Sequence, residues 1–283
     1  MEKILLAMDA AKLNMKTIDF ACYIARLTRS RLTGVFLEGL VGQTVSSAGN
    51  DPFGGGSGAW DSDADNPDVI RTTVESSVTE ANIRRFRDAC VCRETLSLIH
   101  RDRGIPLSEI LSETRFADLL IVDGETSFSR SDRQIPGRFV KDVLDAAECP
   151  VLIAPYSFDA IDEIVFTYNG TASSVYAIKQ FTSLFPQFHD KKVIVVNVRQ
   201  DEKYSIEDQF KMKEWLKAHY DNPEFVILKG EPADQLFGYL IERKKAVVVM
   251  GAYGRSMLSR FFKPSQARLI LKTINLPIFI THQ

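Results

Sequence analysis

The chain has few of the residues that build metal sites and disulfide frameworks. Its 283 residues include only four cysteines and four histidines. All four cysteines lie in the first half, at Cys22, Cys90, Cys92 and Cys149. A disulfide framework would not be so lopsided, so reduced thiols are expected, as in the cytoplasm. The pair Cys90 and Cys92 has no second thiol pair or nearby histidine pair to complete four ligands, so no metal site is predicted.

Net charge and long apolar runs are also scarce. A formal net charge of −2 at pH 7 gives no basic footprint, which argues against nucleic acid as a partner. No apolar run approaches the ~20 residues of a membrane helix, and the acid at Asp9 comes too early for a signal peptide. Composition therefore predicts a cytoplasmic protein with no membrane partner. A hydrophobic content of 45% is enough for two cores.

What the chain does contain is an internal repeat. Residues 150–154 (PVLIA) return as 277–281 (PIFIT), and 119–124 (LLIVDG) return as 246–251 (AVVVMG), both at an offset of 127 residues. This constant offset predicts two copies of one unit, with domains at 1–155 and 163–283 and a linker at 156–162. The first strands are offset by 160 residues, from Asp9 to Asn169, so an insertion of about 33 residues is expected near 40–71.

Short apolar runs alternate with amphipathic stretches in both halves. The run 192–198 (KVIVVNV) is typical of a strand buried on both faces, and stretches such as 72–93 and 206–219 are predicted to be helices. The pattern predicts an α/β fold of two tandem, doubly wound, five-stranded parallel sheets. The inserted segment, with glycines at 54–56 and Asp61, Asp63 and Asp65, is interpreted as a mobile loop or lid, because it fits neither a phosphate loop nor a calcium loop.

The loop after the fourth strand of the second half is the best candidate for a ligand site. In an open parallel sheet, ligands bind at the carboxyl ends of the strands, where the strand order reverses. Gly251 and Gly254 leave backbone N–H groups open, and Ser265 opens the next predicted helix, whose N-terminus favours an anion. Arg255, Arg260 and Lys263 add positive charge. These features fit a phosphate.

The spacing in this loop, Gly-x-x-Gly, then nine residues, a small residue and Ser, resembles the nucleotide-binding signature of the universal stress protein (UspA) family. The resemblance covers the whole chain as two tandem domains. It implies the adenine-nucleotide alpha hydrolase-like fold with strand order 3-2-1-4-5, and ATP or AMP as ligand, with or without Mg²⁺. It also implies that the two halves pair through their fifth strands as an internal pseudo-dimer, and that the chain can form a homodimer.

The resemblance carries family roles onto particular residues of this chain. In the second half the nucleotide-binding positions are Asn169, Val198, Gly251, Gly254, Arg255, Ser265 and Gln266. The weaker first-half equivalents are Asp9, Leu37, Gly124 and Gly137. There are departures from the family pattern. Asn169 stands where the family has Asp, Pro264 replaces the glycine before Ser265, and in the first half Ser127 and Arg138 replace the second glycine and the serine while Glu125 adds negative charge.

Three functions remain open from the sequence. The first is a non-enzymatic stress protein that binds an adenine nucleotide in its second half. The second is a slow ATPase, which needs a base or metal ligand beside the phosphates, and the neutral Asn169 argues against it. The third is a nucleotide-free interaction module with degenerate sites. The chain has neither a Gly-x-Ser-x-Gly elbow nor a Walker A sequence.

Overall fold

The structure is a computed structural model that describes residues 1–39, 67–128, 136–199, 206–251 and 274–281. Most of the predicted insertion, residues 40–66, lies outside the described residues. The helix predicted near 264–273 lies outside them too, as do four predicted site residues: Gly254, Arg255, Ser265 and Gln266.

Both halves alternate strands and helices in the predicted order. The first half contains β1 (Lys3–Asp9), α1 (Met15–Thr28), β2 (Arg31–Gly39), α2 (Pro67–Cys92), β3 (Ser97–Gly104), α3 (Pro106–Thr114), β4 (Leu119–Asp123), α4 (Arg138–Ala146) and β5 (Val151–Ala154). The second half contains β6 (Glu163–Thr167), α5 (Ala172–Leu184), a 3₁₀ turn (Pro186–Phe188), β7 (Lys192–Arg199), α6 (Ile206–Lys217), β8 (Glu224–Lys229), α7 (Pro232–Ile241), β9 (Ala246–Gly251) and β10 (Ile278–Thr281). Within the described ranges, no helix is long and apolar enough to cross a membrane.

Two sequence-based predictions about helices need correction. Helix α2 begins at Pro67 rather than at residue 72, so it includes the last residues of the predicted insertion. A proline suits that position, because the first turn of a helix leaves its N–H groups unbonded in any case. In the predicted amphipathic helix at 206–219, which forms α6, the apolar residues do not all face the core, since Phe210 is 68% exposed while Met212 and Leu216 are buried.

All ten strands form one sheet, in the order β3-β2-β1-β4-β5-β10-β9-β6-β7-β8. Each half has the order 3-2-1-4-5, which confirms the predicted fold class. The pairs within each half are parallel. β5 and β10 are antiparallel, with Leu152 opposite Phe279, so the two expected sheets are joined edge to edge.

The sheet lies between two helical layers, and each layer has its own core. One core contains residues of α1, α2, α5 and α6, together with Leu152 and Phe279 from the two fifth strands. The other contains residues of α3, α4 and α7, together with Val151 and Ile278. Both cores therefore continue across the junction between the halves.

The segment predicted as a linker, residues 156–162, packs against both halves. The Phe158 ring lies 5.0 Å from that of Phe20 and 4.5 Å from that of Tyr23, both on α1. The backbone N–H of Ser157 donates to Oδ1 of Asn275 at 2.9 Å, just before β10. These contacts bind the connection to the sheet junction.

Truncating Phe279 is expected to destabilise the junction strongly. Its ring is fully buried and lies 5.3 Å from Phe181 and 6.2 Å from Phe185. Loss of a buried phenyl ring costs about 3–5 kcal/mol, so Phe279→Ala should lower the free energy of unfolding by that amount in denaturant titrations. Phe116→Ala is the control, because Phe116 is 78% exposed and its loss should change stability little. Equal effects of the two substitutions would contradict the buried junction.

Candidate functional site

The sheet topology places one switch point in each half. From β1 the chain moves outward to β2 and β3, and then returns to β4 on the other side of β1. The same reversal occurs in the second half between β6 and β9. A crevice opens at the carboxyl ends of the two strands at such a point, where open α/β sheets bind ligands.

The crevice of the first half is a cavity of about 290 Å³, near the lower end of the size range of ligand pockets. It is lined by the end of β1, the start of α1 and the loop after β4: Ala7, Met8, Asp9, Lys12, Leu13, Asn14, Thr17, Ile18, Asp123, Glu125, Thr126 and Ser127. The structure thus brings the predicted Asp9 and the predicted loop together. Leu37, Gly124 and Gly137 do not line this cavity.

Asp123 fills the place beside the N-terminus of α1. Its Oδ2 accepts hydrogen bonds from Asn14 Nδ2 at 2.6 Å and from Thr17 Oγ1 at 3.3 Å. Its Oδ1 accepts from the backbone N–H of Glu125 at 2.9 Å. A carboxylate is favourable near a helix N-terminus. The protein therefore supplies its own anion where a bound anion would otherwise lie.

The remaining charges of this cavity are also mostly negative. Asp9, Asp123 and Glu125 face it, and Lys12 is the one basic residue among the described residues that line it. The Tyr156 hydroxyl donates to Glu125 Oε1 at 2.8 Å, which holds that carboxylate at the rim. Like charges repel at close range in a partly buried site, so this crevice disfavours a polyphosphate.

Asp9 shapes the turn from β1 to α1. Its Oδ1 accepts from the backbone N–H of Ala11 at 2.9 Å, which forms an Asx turn. Burial raises the pKa of Asp9 above its ordinary value, although the Ala11 hydrogen bond and the charge of Lys12 lower it. The carbonyl of Leu37 accepts from Ala10 N–H at 3.1 Å, and its side chain is fully buried, so Leu37 serves the sheet and the core.

The corresponding turn of the second half is neutral. Oδ1 of Asn169 accepts from the backbone N–H of Thr171 at 3.2 Å and from its hydroxyl at 2.7 Å. Gly170 follows with φ +79°, a conformation that suits glycine. Thr171 then caps α5 by accepting from Ser174 N–H at 3.3 Å. Val198, one of the predicted nucleotide-binding positions, is half-buried and is the second-to-last residue of β7.

Gly251, the last residue of β9, lies against the first turn of α5. A Cβ at this position would come within 2.6 Å of the backbone oxygen of Ser173 and of its Oγ. Real Cβ atoms do not approach backbone oxygens so closely, so the strand end and the helix can meet only at glycine. The close approach leaves no side chain between β9 and the N-terminus of α5.

The strand register changes the predicted match between the two loops. Leu152 and Phe279 face the same core at an offset of 127 residues, and they pair with Ile121 and Val249, which are offset by 128. β4 and β9 are therefore equivalent at an offset of 128 residues, so the residue of the first half that corresponds to Gly251 is Asp123 and not Gly124. Continued along the sequence, this shift matches Pro136 with Pro264 and Gly137 with Ser265. The predicted equivalence of Gly124 to Gly251 is wrong by one residue.

Sequence reasoning missed Asn14, Thr17 and Asp123 as members of the first-half site. Asn14 carried a recognisable signal, because it is a preferred N-cap residue just before a helix, and its Oδ1 does accept from Lys16 N–H at 3.1 Å. Across the described part of the chain, no three His, Cys, Asp or Glu side chains are grouped so that they could hold a metal ion.

Adding a methyl group at Gly251 is expected to weaken the second half. The new Cβ must push apart β9 and the first turn of α5, and such overpacking costs about 1–3 kcal/mol. Gly251→Ala should lower the free energy of unfolding by that amount. Gly238→Ala is the matched control, because nothing lies within 4 Å of its added Cβ on α7, and alanine there should stabilise the helix by up to about 1 kcal/mol. A Gly251→Ala protein as stable as wild type would contradict the close approach.

Neutralising Asp9 is expected to stabilise the protein at neutral pH. A carboxyl whose folded pKa is raised holds its proton more tightly when folded. Its contribution to stability is complete below its ordinary pKa of 3.8 and is lost as the pH rises through the folded pKa. Asp9→Asn keeps the Asx turn, as Asn169 does, and should raise the melting temperature at pH 7. The gain should shrink as the pH falls toward 3.8, and Asp88→Asn on the exposed face of α2 should show no such gain. A lower melting temperature for Asp9→Asn at pH 7 would refute the burial argument.

Solved structures share this architecture over the whole chain. A universal stress protein from Archaeoglobus fulgidus is 14% identical, with a TM-score of 0.70 over 99% of this chain and 98% of its own. A Pseudomonas aeruginosa protein assigned to the universal stress proteins is 13% identical, with a TM-score of 0.51 over 99% of this chain and 93% of its own. No protein-family model matches the chain. No curated protein matches it significantly.

The full-length match covers both halves and their junction, and it agrees with the strand order and the repeat. At such low identity the likeness establishes the fold. The chain has the tandem fold of the universal stress proteins.

Proposed function

We propose that this chain is a cytoplasmic universal stress protein that binds one adenine nucleotide, ATP or AMP, at the switch point of its second half. The proposal joins the fold to the loop sequence that resembles the family's nucleotide-binding signature. It assigns the two halves different roles, because the described residues at their equivalent strand ends and turns differ in charge: Asp123 and Asp9 in the first half, Gly251 and Asn169 in the second.

The single observation that carries the proposal is the exchange of Asp123 for Gly251 at equivalent strand ends. In the first half a carboxylate takes the hydrogen bonds of Asn14 and Thr17 beside α1. In the second half Gly251 has no side chain, and the neighbouring turn carries the neutral Asn169. Among the described residues, no carboxylate of the second half takes the place that Asp123 has beside α1, and we infer that the N-terminus of α5 can accept an anion.

The second-half loop supplies the groups that a nucleotide would need. Gly251 and Gly254 would offer backbone N–H groups to the phosphates, and Ser265 would donate its hydroxyl, with Arg255 and Gln266 beside them. Asn169 would hydrogen-bond a ribose hydroxyl through its amide, and the backbone at Val198 would lie beside the adenine. The weaker first-half positions, Asp9, Leu37, Gly124 and Gly137, are proposed not to bind nucleotide.

The proposed function is binding without turnover. A general base needs a group that can accept a proton, and the amide of Asn169 cannot do so at the position of the family's Asp. Slow ATP hydrolysis with Mg²⁺ is the alternative, and it would require a general base from the loop. The antiparallel pairing of β5 and β10 supports an internal pseudo-dimer, in which the chain supplies both halves, and a further homodimer is proposed through the outer surfaces.

The test begins with the nucleotide content of the purified protein. Acid extraction followed by mass spectrometry should release one adenine nucleotide per chain. Gly254→Arg should abolish it, because a bulky side chain would fill the phosphate position. Ser127→Arg is the control, since it adds the same side chain to the first-half loop, one residue beyond Thr126, which the register matches with Gly254, and it should leave the stoichiometry unchanged. Phosphate release with Mg²⁺ should stay at the level of a blank without protein.

Three outcomes would count against the proposal. An empty extract, with no thermal shift in millimolar ATP and Mg²⁺ or in millimolar AMP, would favour the nucleotide-free interaction module. Loss of nucleotide in Ser127→Arg but not in Gly254→Arg would move the site to the first half. Metal-dependent phosphate release that Gly254→Arg eliminates would establish the slow ATPase.

A further inference from the structure

Two buried cysteines meet between the first two helices, away from the crevices. Cys22 lies on α1 and Cys90 on α2, and their Sγ atoms are 3.9 Å apart. Cys22 is 1% exposed and Cys90 is not exposed at all. Both are free thiols in this structure, and they lie in the core that covers one face of the sheet. Two thiols in contact can be oxidised to a disulfide, which a single buried cysteine cannot form by itself.

The groups around this pair favour a thiolate. The guanidinium of Arg93 lies near both sulfurs and is held by an ion pair with Asp19 and by a hydrogen bond of 2.9 Å to the carbonyl of Ala89. The hydroxyl groups of Thr95 and Ser97 favour the ionised forms of Cys22 and Cys90 respectively. A cation and hydroxyl donors beside a thiol stabilise its thiolate, and the carboxylate of Asp19 opposes them by raising the pKa of Cys22.

The hydrogen bond between the two thiols separates their acidities. It lowers the pKa of Cys22 to about 7, against the opposing effect of burial, and it raises the pKa of Cys90. Cys149 shows the contrast, since burial without a thiol partner raises its pKa to about 12. Either sulfur can donate this hydrogen bond, so one thiol of the pair can ionise while the other keeps its proton, and the reaction below assigns the thiolate to Cys22.

We propose that Cys22 and Cys90 are a redox-active dithiol, which a peroxide converts into a disulfide that joins α1 to α2. The Cys22 thiolate attacks one oxygen of hydrogen peroxide, the O–O bond breaks, and the released hydroxide takes a proton to become water. Cys22 is then a sulfenic acid. The Cys90 sulfur attacks the Cys22 sulfur, the S–O bond breaks, and a second water leaves. Two thiols and one peroxide give one disulfide and two waters.

The geometry permits this bond with a small movement. A disulfide is about 2.05 Å long, so the sulfurs must approach by roughly 1.9 Å from their separation of 3.9 Å. The bond would close a loop between positions 68 residues apart, which restrains the unfolded chain and should raise the melting temperature.

Cys92 is the competing partner and has to be separated in the test. It is exposed on α2, two residues after Cys90. An exposed thiol is oxidised readily and can link two chains. A protein with Cys92→Ser and Cys149→Ser retains only the proposed pair, and each of these substitutions lies outside it.

The experiment treats the full-length double variant with hydrogen peroxide, then unfolds and alkylates it before intact-mass spectrometry. We expect a loss of about 2 Da with no alkylation, full reversal by dithiothreitol, and two alkyl groups on the untreated protein. The oxidised form should melt higher by on the order of 5 °C. Tryptic mapping of oxidised wild type should show the Cys22–Cys90 crosslink, which covers the case in which a variant folds poorly.

Other results would overturn the proposal. Two alkylatable thiols after peroxide treatment would show that the pair does not react. A gain of about 16 or 32 Da without a crosslink would show sulfenic or sulfinic acid instead of a disulfide. A wild-type map containing only crosslinks of Cys92 would assign the redox chemistry to the exposed thiol. Adding Cys22→Ser to the double variant should abolish the 2 Da loss, and retention of that loss would also refute the assignment.

Discussion

The structure depends on the antiparallel contact between β5 and β10. Without it, each half would end in an apolar edge strand with unpaired backbone groups, the kind of edge that recruits other chains. The residues at the contact are wholly buried: Val151, Leu152, Ile153, Ile278, Phe279 and Ile280. Pairing these strands satisfies both edges at once and lets the two cores run across the junction. The strand pairing also fixes the path of the segment 156–162. This segment connects the two halves while it packs against α1 and hydrogen-bonds to Asn275, just before β10.

The fold could be predicted from the sequence, but the alignment of the two sites could not. The repeat, the apolar runs and the glycine pattern all carry information at the scale of whole elements, so the order of elements along the chain was predictable. The strand order in the sheet was predicted from the resemblance to the universal stress proteins. β4 and β9 are apolar on both faces, so they lack the alternation that sets the phase of a half-exposed strand. A shift of one residue is therefore invisible in 119–122 (LLIV) and 246–250 (AVVVM). Pairing with β5 and β10 fixes the phase, and it moves Asp123 into the position of Gly251.

That shift explains how one fold supports two different crevices. A carboxylate at the strand end needs donors, and the first half supplies them from Asn14 and Thr17 at the start of α1. A glycine at the strand end needs none, and in the second half α5 approaches until Ser173 touches the strand. The two solutions exclude each other, because a side chain at Gly251 would collide with the helix, while removal of Asp123 would leave the buried hydroxyl of Thr17 and the exposed amide of Asn14 without this acceptor. The divergence therefore involves both the strand end and the first turn of the helix.

The helix that begins at the first crevice also carries one cysteine of the thiol pair. α1 begins beside Asp123 and contains Cys22 further along, while α2 carries Cys90 and donates from Asn82 Nδ2 to the carbonyl of Ala10 at 2.9 Å, next to Asp9. A bond between Cys22 and Cys90 would fix α2 against α1, and so restrain the turn between β1 and α1. The first half, where Asp123 lies beside the N-terminus of α1, thus has a proposed chemistry that needs no bound anion. Thiol oxidation is thus proposed for the first copy of the unit and nucleotide binding for the second. The exchange of Asp123 for Gly251 supports nucleotide binding in the second copy.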